Sequence, residues 1–64
     1  MSFRLGQVYE CTEDGRERQA IVLRTKGDGE EGLLRYVDTR VEEWVPWNEF
    51  NKAAKWQRVR RGER

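Results

Sequence analysis

Residues 7–25, QVYECTEDGRERQAIVLRT, decide the fold class of this chain. Residues 7–12 alternate in side-chain type and are rich in β-favouring residues, and Asp14-Gly15 follows them. An Asp-Gly pair between two strand-like runs is the strongest short-range signal of a β-hairpin, because a type I′ turn needs positive φ at both central residues. We therefore predict a first strand over residues 7–12, a tight turn, and a second strand over residues 18–25.

The centre of the second predicted strand, AIVL at residues 20–23, is apolar on both faces. Such a strand is often bent at a barrel corner or covered on both sides. Residues 26–32 hold three glycines and four charged residues, which is typical of a loop. Pro46 ends the last strand-like run, because proline cannot donate a ladder hydrogen bond. The other predicted elements are a third strand over residues 33–37, a turn over residues 38–40 and a fourth strand over residues 41–45.

The C-terminal part of the chain leaves two alternatives. In one, residues 47–54 form a short helix and residues 55–60 form a fifth strand that pairs with the first. In the other, a single helix runs from residue 47 to about residue 59. We favour the helix followed by a strand, because an open four-stranded sheet would leave Trp56 and Val59 without a role. The predicted fold is all-β, and a closed five-stranded barrel leaves the fewest bare edges in a chain of 64 residues.

Two pairs of motifs resemble known small barrels. TEDG at residues 12–15, followed by QAIV at residues 19–22, is similar to the first hairpin of Tudor domains. RYVD at residues 35–38, followed by EEWVP at residues 42–46, is similar to a segment of chromo-barrel domains. The two matches together cover most of the chain. The resemblance implies a five-stranded SH3-like barrel, which the strand count also indicates, and the short helical turn before the last strand is predicted from the pattern of residues 47–54.

This resemblance also implies a domain organisation and a kind of ligand. Residues 1–60 would form a single SH3-like barrel domain, and residues 61–64 a flexible basic tail. Methyl-ligand readers of this superfamily hold a methylated cation in an aromatic cage. The resemblance places Tyr36 on a cage position and Trp44 on a position that packs structurally. The other ring positions fall near residues that are not aromatic: Cys11, Arg18, Thr39 and Val41. A methylated Lys or Arg reader with a degenerate cage is therefore an alternative function.

Composition and cysteine usage indicate a folded intracellular domain. Hydrophobic residues make up 36% of the chain and charged residues 39%, but three Trp, two Tyr and two Phe provide large apolar surfaces for a core. Cys11 is the only cysteine, so an internal disulfide is impossible and a reducing compartment is expected. No stretch approaches the roughly 20 apolar residues of a membrane span. We expect a cytoplasmic protein with no membrane partner.

The residue types argue against catalysis and metal binding. The chain has no His, so Cys11 lacks the partner that a Cys–His nucleophile needs. Glu42 and Glu43 are neighbours on a predicted strand, so they point to opposite faces and cannot share a proton. A zinc site needs about four N or S ligands. We therefore predict a non-enzymatic protein with no cofactor, no metal and no small-molecule substrate.

Charge is segregated along the chain. Residues 1–50 carry seven Lys or Arg and eleven Asp or Glu, a net charge of −4, whereas residues 51–64 carry six basic residues and one acidic residue, a net charge of +5. Such asymmetry is typical of proteins that contact a nucleic acid or an acidic partner. The candidate ligand-binding residues combine this segment with nearby aromatic and acidic side chains: Tyr36, Asp38, Trp47, Trp56, Lys52, Lys55, Arg58, Arg60 and Arg61.

The partner itself is left open between a nucleic acid and a protein. Cations around Trp56 suit a phosphate backbone and a stacked base. A protein partner would bind through a sheet edge or through exposed Trp47 and Trp56, unless those rings plug the ends of the barrel. The basic segment can instead fold back onto acidic residues such as Glu10 or Glu42, or the chain can be a purely structural subunit of a larger complex. A monomer is the expected state.

The two mid-strand aromatic residues have a different expected role. Tyr36 and Trp44 lie in the middle of the third and fourth predicted strands. Large rings at such positions are more often part of a core than of a ligand platform. We therefore expect both side chains to be buried.

Overall fold

The computed structural model describes residues 2–59, which form one antiparallel sheet of five strands and a short helix. The strands are β1 (Val8–Glu13), β2 (Arg16–Lys26), β3 (Glu31–Tyr36), β4 (Glu42–Pro46) and β5 (Gln57–Arg58). A 3-10 turn (Gly27–Gly29) joins β2 to β3, and helix α1 (Trp47–Ala53) lies between β4 and β5. The strand order is β4-β3-β2-β1-β5, so β4 and β5 are the edges of an open sheet, and within residues 2–59 the predicted closure into a barrel is not observed. The tail predicted over residues 61–64 lies outside the described residues.

The predicted first hairpin is present, and its turn lies at Asp14-Gly15 as predicted. Asp14 and Gly15 have φ values of 52° and 76°, the positive values that a type I′ turn requires. Glu13 is paired with Arg16 directly next to the turn, so the two strands continue without a gap. Strand β2 therefore begins two residues earlier than predicted and runs for 11 residues.

A β-bulge lets the long strand β2 pair with both β1 and β3. The pairing of β2 with β3 shifts register between Val22 and Arg24, which leaves Leu23 as the extra residue. A bulge bends its strand and increases the local twist. The irregularity explains how residues 20–23 can be apolar on both faces, because Val22 enters the core whereas Leu23 is partly exposed. Of the two expectations for this strand, the bulge favours a bend over a cover on both faces.

The C-terminal part follows the favoured alternative. Helix α1 begins directly after Pro46, whose backbone is extended, and it ends where Ala54 adopts a left-handed conformation with φ 55°. Strand β5 then pairs antiparallel with β1, and Val59 donates a backbone hydrogen bond to the Val8 carbonyl oxygen at 2.8 Å. The single long helix is therefore wrong. A single helix cannot continue through Ala54, because this residue adopts a left-handed conformation and the chain turns back toward β1.

The core is a cluster of aromatic and small apolar side chains on the inner face of the sheet, made of Phe3, Tyr9, Ala20, Val22, Leu34 and Phe50. Phe3 comes from the segment before β1, for which the sequence predicted no element. The Phe3 ring packs edge-on against the rings of Tyr9, Trp47 and Phe50, with centroids 5.0 to 6.1 Å apart. Edge-to-face packing of this kind adds to the stabilisation from burial.

The expectation that Trp44 lies in the core is wrong. Trp44 is paired with Leu33, whereas the inward residues of β3 are Gly32 and Leu34. Side chains alternate between faces along a strand, so Trp44 lies on the outer face, where 38% of its surface is exposed. The Lys26 ammonium group lies 4.2 Å from the centre of a Trp44 ring.

No helix within residues 2–59 combines the length and the hydropathy needed to cross a lipid bilayer.

Gly32 leaves room for the Phe3 ring, and this close approach gives a testable prediction. A Cβ atom at residue 32 would lie 2.7 Å from Cδ2 of Phe3. We expect Gly32→Ala to lower the free energy of unfolding by roughly 1–3 kcal/mol, as overpacking of a core does. Urea denaturation followed by tryptophan fluorescence measures the change.

A double-mutant cycle provides the control for this prediction. Phe3→Ala removes Cγ, Cδ2 and Cε2, the Phe3 atoms that a Cβ at residue 32 would meet, so the double variant should lose less stability than the two single variants added together. Strict additivity would contradict the proposed steric origin.

Candidate functional site

A groove of about 450 Å³ opens on the inner side of the sheet. Strands β2, β3 and β4 contribute one wall, and α1 and the segment that links α1 to β5 contribute the other. Its rings and charged groups come from residues far apart in sequence: Arg18, Tyr36, Glu43, Glu49, Phe50, Lys55 and Trp56. We call this feature the aromatic groove.

The alternation of β4 selects which of two adjacent carboxylates enters the aromatic groove. Glu43 is paired with the buried Leu34, so it lies on the inner face, whereas Glu42 is paired with Arg35 on the outer face. Side chains on a strand point alternately to opposite faces. The EEWVP run therefore contributes one carboxylate to each side of the sheet, as the sequence predicted.

Trp56 and Tyr36 form the aromatic part of the site. The Trp56 ring stacks on Phe50 with centroids 5.6 Å apart and an angle of 17° between the planes. Tyr36 lies 6.0 Å from Trp56 at an angle of 38°. Both side chains are half-buried and pack against the core cluster. Their positions are thus set by the packing of the core.

The Tyr36 hydroxyl donates a hydrogen bond to Oε1 of Glu43 at 2.7 Å. Burial of the ring is the main cause that raises the pKa of Tyr36 well above its ordinary value, and the Glu43 carboxylate raises it further. The phenol therefore stays neutral and holds the Glu43 carboxylate in the aromatic groove. Within residues 2–59, no salt bridge involves Glu43 or Glu49.

The basic groups of the site are neutralised by neighbours. Nε of Arg18 lies 3.0 Å from Oδ2 of Asp38, and its Nη1 lies 3.2 Å from Oε1 of Glu13. Nζ of Lys55 lies 2.9 Å from the second Glu13 oxygen. The Arg18 guanidinium carbon also lies 5.1 Å from the centre of the Tyr36 ring and 6.0 Å from that of Trp56. We call Arg18, Glu13, Asp38 and Lys55 the ion-pair network.

The ion-pair network shifts the titration of both carboxyl groups. The hydrogen bond from Lys55 is the main cause that lowers the pKa of Glu13, and Arg18 lowers it further. The hydrogen bond from Arg18 is the main cause that lowers the pKa of Asp38. Both carboxyl groups are solvent-exposed, so the individual pairs contribute little to stability, as surface ion pairs generally do.

The structure brings together some of the predicted site residues and separates others. Tyr36, Lys55 and Trp56 line the aromatic groove, and Asp38 contacts it through Arg18. Lys52 is exposed on α1, and Arg58 on β5 is paired with Tyr9 on β1. Neither Lys52 nor Arg58 is among the groove residues. The remaining predicted basic residues, Arg60 and Arg61, lie outside the described residues.

Trp47 and Trp56 do not form one exposed patch. Both are half-buried and pack against the core cluster, with the Trp47 ring 5.0 Å from Phe3 and 6.2 Å from Phe50. This arrangement favours the alternative in which the rings close the core. Lys55, from the described part of the basic segment, does pair with the acidic body, but its partner is Glu13 rather than Glu10 or Glu42.

Sequence reasoning missed several groups of the site. Glu13 and Glu49 carried no signal beyond their charge, and the resemblance placed Arg18 near a cage position without its partners, which are distant in sequence. Alternation put Glu42 and Glu43 on opposite faces, but the expected burial of Trp44 implied the wrong face for Glu43. Within residues 2–59, no three His, Cys, Asp or Glu side chains converge as metal ligands would. The absence of a metal stays a prediction.

The cage positions suggested by the Tudor and chromo-barrel resemblance coincide with this groove. Arg18, Tyr36, Thr39 and Val41 all line it, whereas Cys11 is buried. No family model, curated protein or solved structure matches this chain. The functional argument therefore rests on the geometry of the aromatic groove itself.

The ion-pair network predicts a dependence of stability on pH. Because the pKa values of Glu13 and Asp38 are lowered in the folded state, the pairs stabilise fully above the unfolded-state values of roughly 4 and are lost as the pH falls through the folded-state values. The contribution of these pairs to the free energy of unfolding should stay constant from neutral pH to about pH 5 and decrease below it. Urea denaturation across this range measures it.

A carbon-13 titration of the carboxyl groups assigns the effect to Arg18. Arg18→Gln should move the Asp38 midpoint up toward its ordinary value, whereas Arg24→Gln, which removes the same charge elsewhere on β2, should leave it unchanged. If Arg18→Gln leaves the titration midpoint of Asp38 unchanged, the assignment to Arg18 is contradicted.

Proposed function

We propose that this chain is a small non-catalytic binding module whose aromatic groove takes up a cationic side chain from a protein partner. The observation that carries the proposal is the charge balance of the site. Arg18 and Lys55 are matched by Glu13 and Asp38, which leaves Glu43 and Glu49 as the acidic groups of the groove without a salt bridge among residues 2–59.

The chemistry of the aromatic groove suits a Lys or Arg side chain. Carboxylates attract the charged head, and the apolar stem can pack on Val45 and Ala53, which also line the groove. The volume of about 450 Å³ lies within the range of ligand sites in proteins. Because the pocket is open to solvent and shallow, we expect weak binding.

The strand count and the resemblance together support an SH3-like barrel of the Tudor or chromo-barrel kind. The five antiparallel strands agree with the strand count that this resemblance implies, although β4 and β5 leave the sheet open. The aromatic groove also lies where the resemblance places its cation site. Under this proposal the partner class is a protein segment that carries a basic residue.

A protein partner is favoured over a nucleic acid by the pairing of the cations in the aromatic groove. Arg18 is paired with Asp38 and Glu13. Lys55, the basic residue next to Trp56, is engaged with Glu13. Nucleic-acid binding draws its affinity from unpaired cations that neutralise phosphates.

A chemical-shift titration with short peptides tests the proposed function. A pentapeptide with a central lysine is compared with the same peptide carrying norleucine, which has a similar stem but no charge. We expect the lysine peptide to shift the amide of Glu43 and the indole N–H of Trp56 and to leave the indole N–H of Trp44 in place.

Adjacent glutamates on β4 provide matched variants. Glu43→Gln should weaken binding of the lysine peptide about fivefold, which corresponds to roughly 1 kcal/mol. Glu42→Gln removes the same charge from the outer face and should leave the affinity unchanged. Equal binding of the norleucine peptide would contradict the proposal. Salt-dependent binding of a short oligonucleotide, with no response to either peptide, would replace it with a nucleic-acid function.

A further inference from the structure

We propose that Arg18 determines the specificity of the aromatic groove by occupying the ring faces of Tyr36 and Trp56 from within the chain. The inference rests on the proposed function and names its ligand class. The groove would accept a cation that carries N–H donors, an ammonium or a guanidinium group, and would exclude a quaternary ammonium.

Arg18 already makes the contacts that an external cation would seek. Its guanidinium carbon lies 5.1 Å from the centre of the Tyr36 ring and 6.0 Å from that of Trp56. A cation is attracted to an aromatic face within about 6 Å of the ring centre. Two of the three rings that line the aromatic groove, Tyr36 and Trp56, thus have a resident cation.

Two carboxylates from separate elements hold that guanidinium in place. Asp38, in the turn after β3, accepts a hydrogen bond from Nε at 3.0 Å, and Glu13, at the end of β1, accepts one from Nη1 at 3.2 Å. Glu13 is itself fixed by Lys55 at 2.9 Å. The planar guanidinium group can satisfy both carboxylates and stack on a ring at the same time. An incoming cation would have to break both ion pairs to reach the ring faces.

The occupied ring faces leave the Glu43 and Glu49 part of the groove for a ligand. An ammonium or guanidinium group can donate hydrogen bonds to those carboxylates, and charge-assisted bonds of this kind are strong. A quaternary ammonium has no N–H to donate and is recognised mainly by ring faces. Arg18 therefore favours the first class of cation and disfavours the second.

The test compares two peptides on two variants. The peptides carry a central lysine or a central trimethyl-lysine, and binding is followed by chemical-shift titration. The wild-type protein should bind the lysine peptide at least about fivefold more tightly than the trimethyl-lysine peptide. Arg18→Gln frees the rings beside Asp38 and Glu13, so it should raise the affinity for trimethyl-lysine about tenfold and reverse the preference. Arg24→Gln, on the same strand, should behave as the wild type.

The outcomes separate this inference from the proposed function. A wild-type protein that binds trimethyl-lysine as tightly as lysine overturns the role of Arg18, and so does an Arg18→Gln variant without a gain. If the wild-type protein binds neither peptide while Arg18→Gln gains trimethyl-lysine, the proposed function fails and the occupancy by Arg18 is supported.

A measurement on the wild-type protein keeps the inference testable if Arg18→Gln does not fold. Ring currents should move the δ-methylene protons of Arg18 upfield, and Trp56→Leu should reduce that shift, whereas Trp44→Leu on the outer face should not. Methylene protons at ordinary positions in the wild-type protein would overturn the inference.

Discussion

The packing of aromatic rings around Phe50 is the interaction on which the rest of the structure depends. The Phe50 ring lies 5.0 to 6.2 Å from the rings of Tyr9, Phe3, Trp47 and Trp56, which come from the sheet, the N-terminal segment, α1 and the link to β5. A chain of this length buries only about 60% of its unfolded surface, so large rings must supply much of the core. The Phe50 side chain thus packs against rings from the sheet, the N-terminal segment, α1 and the link to β5.

The same packing creates the aromatic groove. Trp56 is held by stacking on Phe50, and its position next to Tyr36 follows from that contact. Charged groups are then arranged around rings that cannot move freely. Individually the exposed ion pairs stabilise the fold little. The main effect of these ion pairs is to hold the Arg18 guanidinium against Tyr36 and Trp56.

The separation of the paired cations of the aromatic groove from its carboxylates without a salt bridge has a clear structural origin. Arg18 and Asp38 are 20 residues apart, and Lys55 and Glu13 are 42 residues apart, so antiparallel pairing must bring each pair together. Glu43 enters the site only because the β4 register places it opposite Leu34. A chain with the same composition and another register would expose a different set of charges, since a one-residue slip exchanges the faces of a strand.

Local sequence alone determined two features: the Asp14-Gly15 turn and the end of β4 at Pro46. These features follow from backbone preferences that act between near neighbours. Tertiary structure alone decided the burial of Phe3, the outward position of Trp44 and the partners of Arg18. Each of these depends on contacts between segments that are distant in sequence. The apolar character of Trp44 and the charge of Arg18 do not determine those contacts. The aromatic groove therefore became visible only in the folded chain, although the residues that line it were all present in the printed sequence.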